Sequence, residues 1–300
     1  MKLLVTGALT QDVNDLDMFR DLGFDVVYHK DERAELPCDP AEFDAVVCNG
    51  LFLYRDISEF ANLKLIQLTS AGLDRVPVDE IKRRGIQLFN ARGVYSAPMA
   101  EYVLSEVLDV YKAKPFYRKN QLEKKWNKKR DVDELVGKTV CVVGAGNVGG
   151  EVAKRFQAFD CLTIGVDEYL APRPYFNEIL PTAKLGEVLP KCDVVVLTVP
   201  LMESTKGLFN KDKFDLMKPT AIFVNIARGG VVVQNDLVDA LREKKILCAV
   251  LDVFEEEPLP EDSPLWSLEN ASVTPHCSFI STGNKGRMLR LACKNLASLK

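Results

Sequence analysis

The chain has only two histidines and two tryptophans among 300 residues, little net charge, and no long unbroken apolar run. Each shortage excludes something. A membrane-spanning helix needs roughly 20 consecutive apolar residues, and no segment supplies them. The opening Met1-Lys2-Leu3-Leu4-Val5-Thr6 is apolar only briefly before Thr10-Gln11-Asp12, which does not make a secretory leader. The expected compartment is the cytoplasm, with no membrane partner. A net charge of -4 gives no overall attraction to polyanions, so nucleic acid is not an expected partner. The eight cysteines show no metal-ligand spacing, and no metal is expected. Most lie in apolar runs such as Val140-Cys141-Val142 and Ala45-Val46-Val47-Cys48, where a reduced thiol packs as a small hydrophobe. The scarcity of histidine also narrows the choice of a proton carrier. His29 sits beside Lys30-Asp31-Glu32, where a solvated role is expected, which leaves His276.

What the chain does have is apolar content, 47%, in a length that allows two packed domains. Short apolar runs at 3–6, 25–28, 45–48, 65–68 and 86–89 alternate with polar helical stretches, the pattern of an open parallel α/β sheet. Pro98 is expected to open one long helix running to about Leu122, because a proline fits a first helical turn. A second, more regular series follows at 139–143, 162–166, 194–198, 221–225, 248–252 and 271–274, nearly continuous in apolar residues as when helices cover both faces of a sheet. Residues 286–299 then show a helical rhythm in Met288, Leu289, Ala292, Leu296 and Leu299. Between Tyr111 and Arg130, nine lysines and arginines surround Phe116, Tyr117 and Trp126, and a solvated subunit contact with aromatic anchors is the favoured reading.

The expected strand 139–143 runs into Gly144-Ala145-Gly146-Asn147-Val148-Gly149, with a helix expected over 151–159. In that context the glycines have a purpose. Gly144 permits a tight turn, Gly146 lets a pyrophosphate approach the backbone, and Gly149 lets helix and strand pack closely. The helix start then offers unpaired N–H groups to phosphate. Asp167 closes the next strand eighteen positions after Gly149, where a carboxylate binds ribose hydroxyls and repels a 2′-phosphate. NAD(H) is expected in preference to NADP(H), with Glu168 reinforcing that choice and the nearby Arg173 opposing it.

Downstream, Arg228, Glu257 and His276 each stand at the end of an apolar strand-like run. Together they supply an anion clamp, a carboxylate partner and a proton-transfer imidazole beside the dinucleotide site, which points to an enzyme.

These residues, with Asn225-Ile226-Ala227-Arg228-Gly229-Gly230, Leu251-Asp252-Val253-Phe254-Glu255-Glu256-Glu257-Pro258-Leu259 and Thr274-Pro275-His276, resemble the D-isomer-specific 2-hydroxyacid dehydrogenases over nearly the full chain. The resemblance implies two Rossmann-like or flavodoxin-like parallel-sheet domains. The substrate domain would comprise residues 1–97 and 276–300, and the inserted NAD-binding domain residues 98–275, with segment 111–130 building a homodimer. It implies reversible oxidation of a small D-2-hydroxy acid to the 2-oxo acid, glyoxylate, hydroxypyruvate and phosphoglycerate chemistry all staying open. Arg228 would bind the substrate carboxylate and polarise the carbonyl, His276 would exchange the proton, and Glu257, rather than Glu255 or Glu256, would orient His276. Asn49, Gly50, Ser70, Ala71 and Gly72 would line the substrate pocket with Arg228 and His276. Thr198, Val199, Pro200, Ile226, Ala227 and Asp252 would join Gly144, Gly146, Asn147, Val148, Gly149 and Asp167 around the cofactor, Asp252 near the nicotinamide amide.

The chain departs from the pattern at Asn90-Ala91-Arg92-Gly93, where an Asn-x-Pro-Gly is usual, at Thr198, where many members carry histidine, and at Cys277-Ser278-Phe279-Ile280, where small residues are frequent. None of these removes a catalytic group. The competing class is an NAD-sensing interaction protein that has kept the fold and lost turnover.

Overall fold

Residues 1–299 are described by a computed structural model, which divides the chain into two compact units. Unit 1 comprises Met1–Tyr95 and the chain from Ser281 on, and unit 2 comprises Ser96–Ile280. Unit 2 thus interrupts unit 1 in sequence.

Unit 1 is built on five parallel strands, β1 (Lys2–Thr6), β2 (Asp25–His29), β3 (Ala45–Cys48), β4 (Leu65–Leu68) and β5 (Gln87–Phe89), in the order β2-β1-β3-β4-β5. Successive side chains of a strand leave opposite faces, and the core shows it. Leu3, Val5, Ala45, Val47 and Leu65 enter one cluster, while Leu4, Val46, Cys48, Ile66 and Leu68 enter another. The first cluster is completed by Met288, Leu289, Ala292 and Leu296 of the helix Asn284–Leu296, so the helical rhythm of the tail packs on unit 1.

Unit 2 carries seven parallel strands: β6 (Thr139–Val143), β7 (Leu162–Val166), β8 (Glu178–Leu180), β9 (Val194–Leu197), β10 (Ile222–Asn225), β11 (Cys248–Leu251) and β12 (Ala271–Val273). Their order, β12-β11-β10-β9-β6-β7-β8, is doubly wound, and the chain reverses direction across the sheet between β6 and β9. Ligands bind in such sheets at the carboxyl ends of the strands flanking that reversal. Strand β8 has no counterpart among the expected strands, because three residues flanked by polar loop leave too short a periodic signal.

Four expectations on helices and boundaries need correction. The single long helix from Pro98 is two, α1 (Ser96–Tyr111) and α2 (Lys114–Leu122). Pro115 has no N–H to give the Tyr111 carbonyl, and Ala113 turns left-handed at φ 50°, so the chain restarts; the Tyr111 carbonyl accepts instead from Asp133 N at 3.2 Å. The helix expected over 151–159 is α3, Asn147–Gln157, which begins inside the glycine motif. The boundary expected at residue 276 falls after Ile280: the carboxylate of Asp252, directly after β11, takes the N–H groups of Cys277 and Ser278, tying that loop to unit 2. The first boundary lies at Ser96 rather than at residue 98.

Candidate active site

At the end of β6 the chain turns through Gly144 at φ 102°, a left-handed conformation that favours glycine. A Cβ there would stand 2.9 Å from the Thr198 side chain and the Val199 nitrogen. Thr198 Oγ1 donates to the Gly144 carbonyl at 2.6 Å, so Thr198 and Val199 brace the turn from the end of β9, with Pro200 exposed beyond them. A Cβ on Gly149 would come 2.0 Å from the Gly144 oxygen, which sets the close packing of helix on turn. Gly146 differs, since nothing lies within 4 Å of where its Cβ would be. The N–H groups of Asn147, Val148 and Gly149, in the first turn of α3, have no protein acceptor among the described residues. An open backbone edge with free amides at a helix start fits a dinucleotide's pyrophosphate.

Asp167 follows β7. Its carboxylate accepts from Ala145 N at 2.8 Å and Tyr169 N at 2.9 Å, which places it against the glycine turn. Arg173 donates to the Ala145 carbonyl, lies 3.6 Å from Asp167, and stacks over the Tyr169 ring at 5.2 Å.

Arg228 stands just past β10. Asn225 shapes this turn, accepting from Ala227 N at 3.0 Å and donating to the Arg228 carbonyl at 3.2 Å, while Ile226 and Ala227 are buried beneath it. The Arg228 side chain is exposed, makes no ion pair among the described residues, and donates to the Ala227 carbonyl at 2.7 Å through one nitrogen. Its remaining donors are available to an anion. Gly229 lies hard against the next loop, where a Cβ would sit 1.8 Å from the Phe254 carbonyl. Phe254 N in turn donates to Glu257 Oε1 at 3.0 Å, and Glu257 Oε2 lies 2.7 Å from His276 Nδ1. Of the three neighbouring glutamates, Glu255 accepts from Gln234 N at 2.9 Å, at the start of helix α4 (Gln234–Arg242), and it is Glu257 that meets the imidazole.

His276 itself has a left-handed backbone, φ 51°, a conformation that a residue with a Cβ keeps only when its surroundings enforce it. Asp252 does so. It is fully buried, and its carboxylate accepts from Thr274 Oγ1 at 2.6 Å, Cys277 N at 2.8 Å and Ser278 N at 2.9 Å, fixing the chain on both sides of His276. Thr274 Oγ1 also lies 2.7 Å from the Tyr102 hydroxyl of α1, whose phenol burial holds well above its ordinary value. Asp252, expected beside the nicotinamide amide, therefore has its oxygens occupied by the histidine loop. With Nδ1 engaged by a carboxylate, the other ring nitrogen is set to exchange a proton.

In unit 1, the 70–72 loop follows β4. Its carbonyls and hydroxyl are tied: the Ser70 carbonyl accepts from Ala91 N at 2.8 Å, Asn90 Nδ2 donates to the Ala71 carbonyl at 2.7 Å, and Ser70 Oγ donates to the Gly72 carbonyl at 3.0 Å. The N–H groups of Ser70, Ala71 and Gly72 have no protein acceptor among the described residues. Asn49 and Gly50 follow β3, and both of their N–H groups are taken by Glu32, at 2.7 Å each.

Sequence reasoning missed Glu32, Asn90, Asn225 and Tyr102. The two asparagines carried a signal, since Asn at a strand end is suited to bonding nearby backbone. Glu32 and Tyr102 belong to no motif. His29 corrects an expectation: it is buried at 8% exposure, not solvated, because it ends β2 inside unit 1. Among the described residues no helix is long and apolar enough to cross a membrane, and no cluster of His, Cys, Asp and Glu could hold a metal ion.

A doubly wound sheet with an open glycine turn, and a histidine–carboxylate pair on loops of the same unit, define a dinucleotide-dependent oxidoreductase. Residues 104–278 match the family described as D-isomer specific 2-hydroxyacid dehydrogenase, NAD binding domain. The chain is 34% identical to a glyoxylate reductase of Thermofilum pendens across 92% of its own length and 85% of that protein's. It is also 34% identical to a D-3-phosphoglycerate dehydrogenase of Methanocaldococcus jannaschii, matching over 92% of this chain and spanning about half, 53%, of that relative. A crystal structure of a D-isomer specific 2-hydroxyacid dehydrogenase family protein from Aeromonas salmonicida superposes with a TM-score of 0.83 at 28% identity, covering 99% of this chain and 94% of that one. The chain belongs to the D-isomer-specific 2-hydroxyacid dehydrogenase family. The family's activity is NAD(P)-dependent 2-hydroxyacid oxidoreduction, and its members differ in substrate and in their use of NAD(H) or NADP(H).

Proposed function

We propose that the protein catalyses the reversible, NAD(H)-dependent reduction of a small 2-oxo acid to the D-2-hydroxy acid. The observation that carries this reading is the 2.7 Å contact of His276 Nδ1 with Glu257 Oε2, on a histidine loop anchored by Asp252. When bound, the nicotinamide supplies or accepts the hydride. The rest falls to the chain's own side chains.

In reduction, protonated His276 gives its proton to the carbonyl oxygen as that oxygen becomes alkoxide-like; in oxidation the neutral ring takes the proton back. Glu257 holds the ring in one orientation. Arg228 offers a planar donor fork to the acid's carboxylate and positive charge to the developing oxyanion, a contact worth roughly 1.5–3 kcal/mol. In unit 1, the free amides of Ala71 and Gly72 are donors suited to a carboxylate. Gly146, Asn147, Val148 and Gly149 would hold the pyrophosphate and Asp167 the adenosine ribose, with Thr198, Val199, Pro200, Ile226 and Ala227 around the cofactor. NAD(H) is preferred because Asp167 puts a carboxylate at the ribose while Arg173 is already engaged by Asp167 and Ala145.

We further propose that the protein acts as a homodimer in the cytoplasm. Supporting the dimer, Leu122 and Trp126 are 85% and 93% exposed at the end of the basic excursion.

The test is a panel of 2-oxo acids with NADH and NADPH measured side by side, together with His276→Ala. Turnover with at least one acid, a lower Kd for NADH, and near-abolished activity in the variant are expected. Full activity in His276→Ala would reject the assigned proton carrier.

A further inference from the structure

Unit 1 is doubly wound in its own right, with the order β2-β1-β3-β4-β5, and its chain reverses direction across the sheet between β1 and β3. That crevice is where an open α/β sheet ordinarily receives a ligand. Here it is filled by a carboxylate. Glu32 accepts from Thr6 Oγ1 at the end of β1 at 2.6 Å, and from Asn49 N and Gly50 N beyond β3 at 2.7 Å each. Two backbone amides that could have received an anion are closed by an acid of the chain itself. Glu32 makes no ion pair among the described residues. One strand over, the amides of Ala71 and Gly72 stay free, and Thr69 N donates to the Cys48 carbonyl at 2.8 Å, so the two loops leave the sheet side by side.

We propose that Glu32 is a specificity-determining residue: by closing the Asn49 and Gly50 amides and setting a negative charge beside the 70–72 loop, it selects short monoanionic 2-oxo acids against those with a second anionic group. This rests on the 2-oxo acid reading above and narrows it. One carboxylate finds free amides at Ala71 and Gly72. A phosphate or second carboxylate on the same molecule meets amides already satisfied, and a like charge behind them. Two like charges on neighbouring loops near a protein surface repel by enough to change a rate ratio roughly tenfold. Glyoxylate-sized and hydroxypyruvate-sized acids suit this arrangement, and phosphorylated or dicarboxylic ones do not.

The experiment compares kcat/KM for glyoxylate, hydroxypyruvate, 3-phosphohydroxypyruvate and oxaloacetate in the wild type and in Glu32→Gln, which keeps the shape and removes the charge. NADH binding and circular dichroism serve as checks that the variant is folded. The wild type is expected to favour hydroxypyruvate over 3-phosphohydroxypyruvate by at least about tenfold, and Glu32→Gln to narrow that ratio about tenfold at unchanged NADH affinity. A wild-type preference for the phosphorylated acid, or a folded Glu32→Gln with the wild-type ratio, overturns the proposal. Should the variant not fold, wild-type selectivity is followed as salt rises from about 0.02 to 0.5 M: narrowing supports a charge effect, and a constant ratio rejects it. Turnover with the wrong selectivity removes this proposal alone, whereas NADH binding without turnover of any acid removes the dehydrogenase reading and this proposal with it.

Discussion

Asp252 reaches past Thr274 to the amide of Ser278, 2.9 Å away, and in doing so encloses His276 between the groups that it holds. Asp252→Ala leaves a hydroxyl and two amides without their acceptor at a fully buried site. The loss is expected to be on the order of 3 kcal/mol in unfolding free energy, measured by urea denaturation. Activity should fall more steeply than stability, because the left-handed His276 relaxes once Cys277 and Ser278 are released.

Glu257→Gln is expected to keep the fold, since Phe254 N still has an amide oxygen to donate to. The variant loses the negative charge beside His276. With its oxygen kept by Phe254 N, the new amide turns an NH2 group toward His276 Nδ1, where an acceptor stood, so the ring loses the partner that fixes it. The kcat near neutral pH should fall about tenfold or more. A folded variant with the wild-type kcat would contradict the pairing.

The parts legible in sequence were those whose chemistry is local. Strand positions followed from continuous apolar runs, and the tight turn at Gly144 and the close packing at Gly149 followed from their place between a strand and a helix. The break at Ala113 was less visible, because the helical rhythm continues through it and only Pro115 marks it. Strand β8 was too short to show a period. His29 looked solvated from its charged neighbours, but burial is decided by where β2 ends in the sheet. Glu32 lies in no motif, and its three partners come from positions 6, 49 and 50, a convergence that only the folded β1–β3 crevice creates.

The glycine turn gives a paired test. Gly146→Ala has open space for its methyl group, so the thermal midpoint should change little while nucleotide affinity is expected to drop, the methyl group standing in the pyrophosphate site proposed above. Gly149→Ala would drive its Cβ into the Gly144 oxygen at 2.0 Å, backbone against backbone, and should lower the midpoint clearly. Calorimetry and NADH fluorescence titration on both variants separate ligand room from packing room.

Asp44 offers a stability switch at low pH. The hydrogen bond from Lys64 at 2.7 Å, opposed by burial and joined by Lys2 N at 2.8 Å, holds its carboxyl below the ordinary 3.8. A carboxyl depressed in the folded state adds stability above its unfolded value, and that stability is lost as pH falls through the folded value. Asp44→Asn should therefore cost about 1 kcal/mol near pH 7 and progressively less below about pH 4, as seen in urea midpoints across that range.

Helix α2 and the segment after it expose an unusual set of side chains. Trp126 is 93% exposed and Leu122 85%, and Phe116 and Tyr117 of the same segment are each 37% exposed. Large apolar groups grouped on a surface mark a contact, and aromatic residues with arginine are the types enriched in one. In a self-contact the surrounding lysines and arginines need acidic partners or a rim position in water. Replacing Leu122 and Trp126 together by serine removes the apolar centre and leaves the charge untouched. Sedimentation velocity should then show a dimer in the wild type and a monomer in the double variant, while NADH binding, whose glycine turn lies in the sheet of unit 2, is retained. A wild type that sediments as a monomer would remove the dimer proposal.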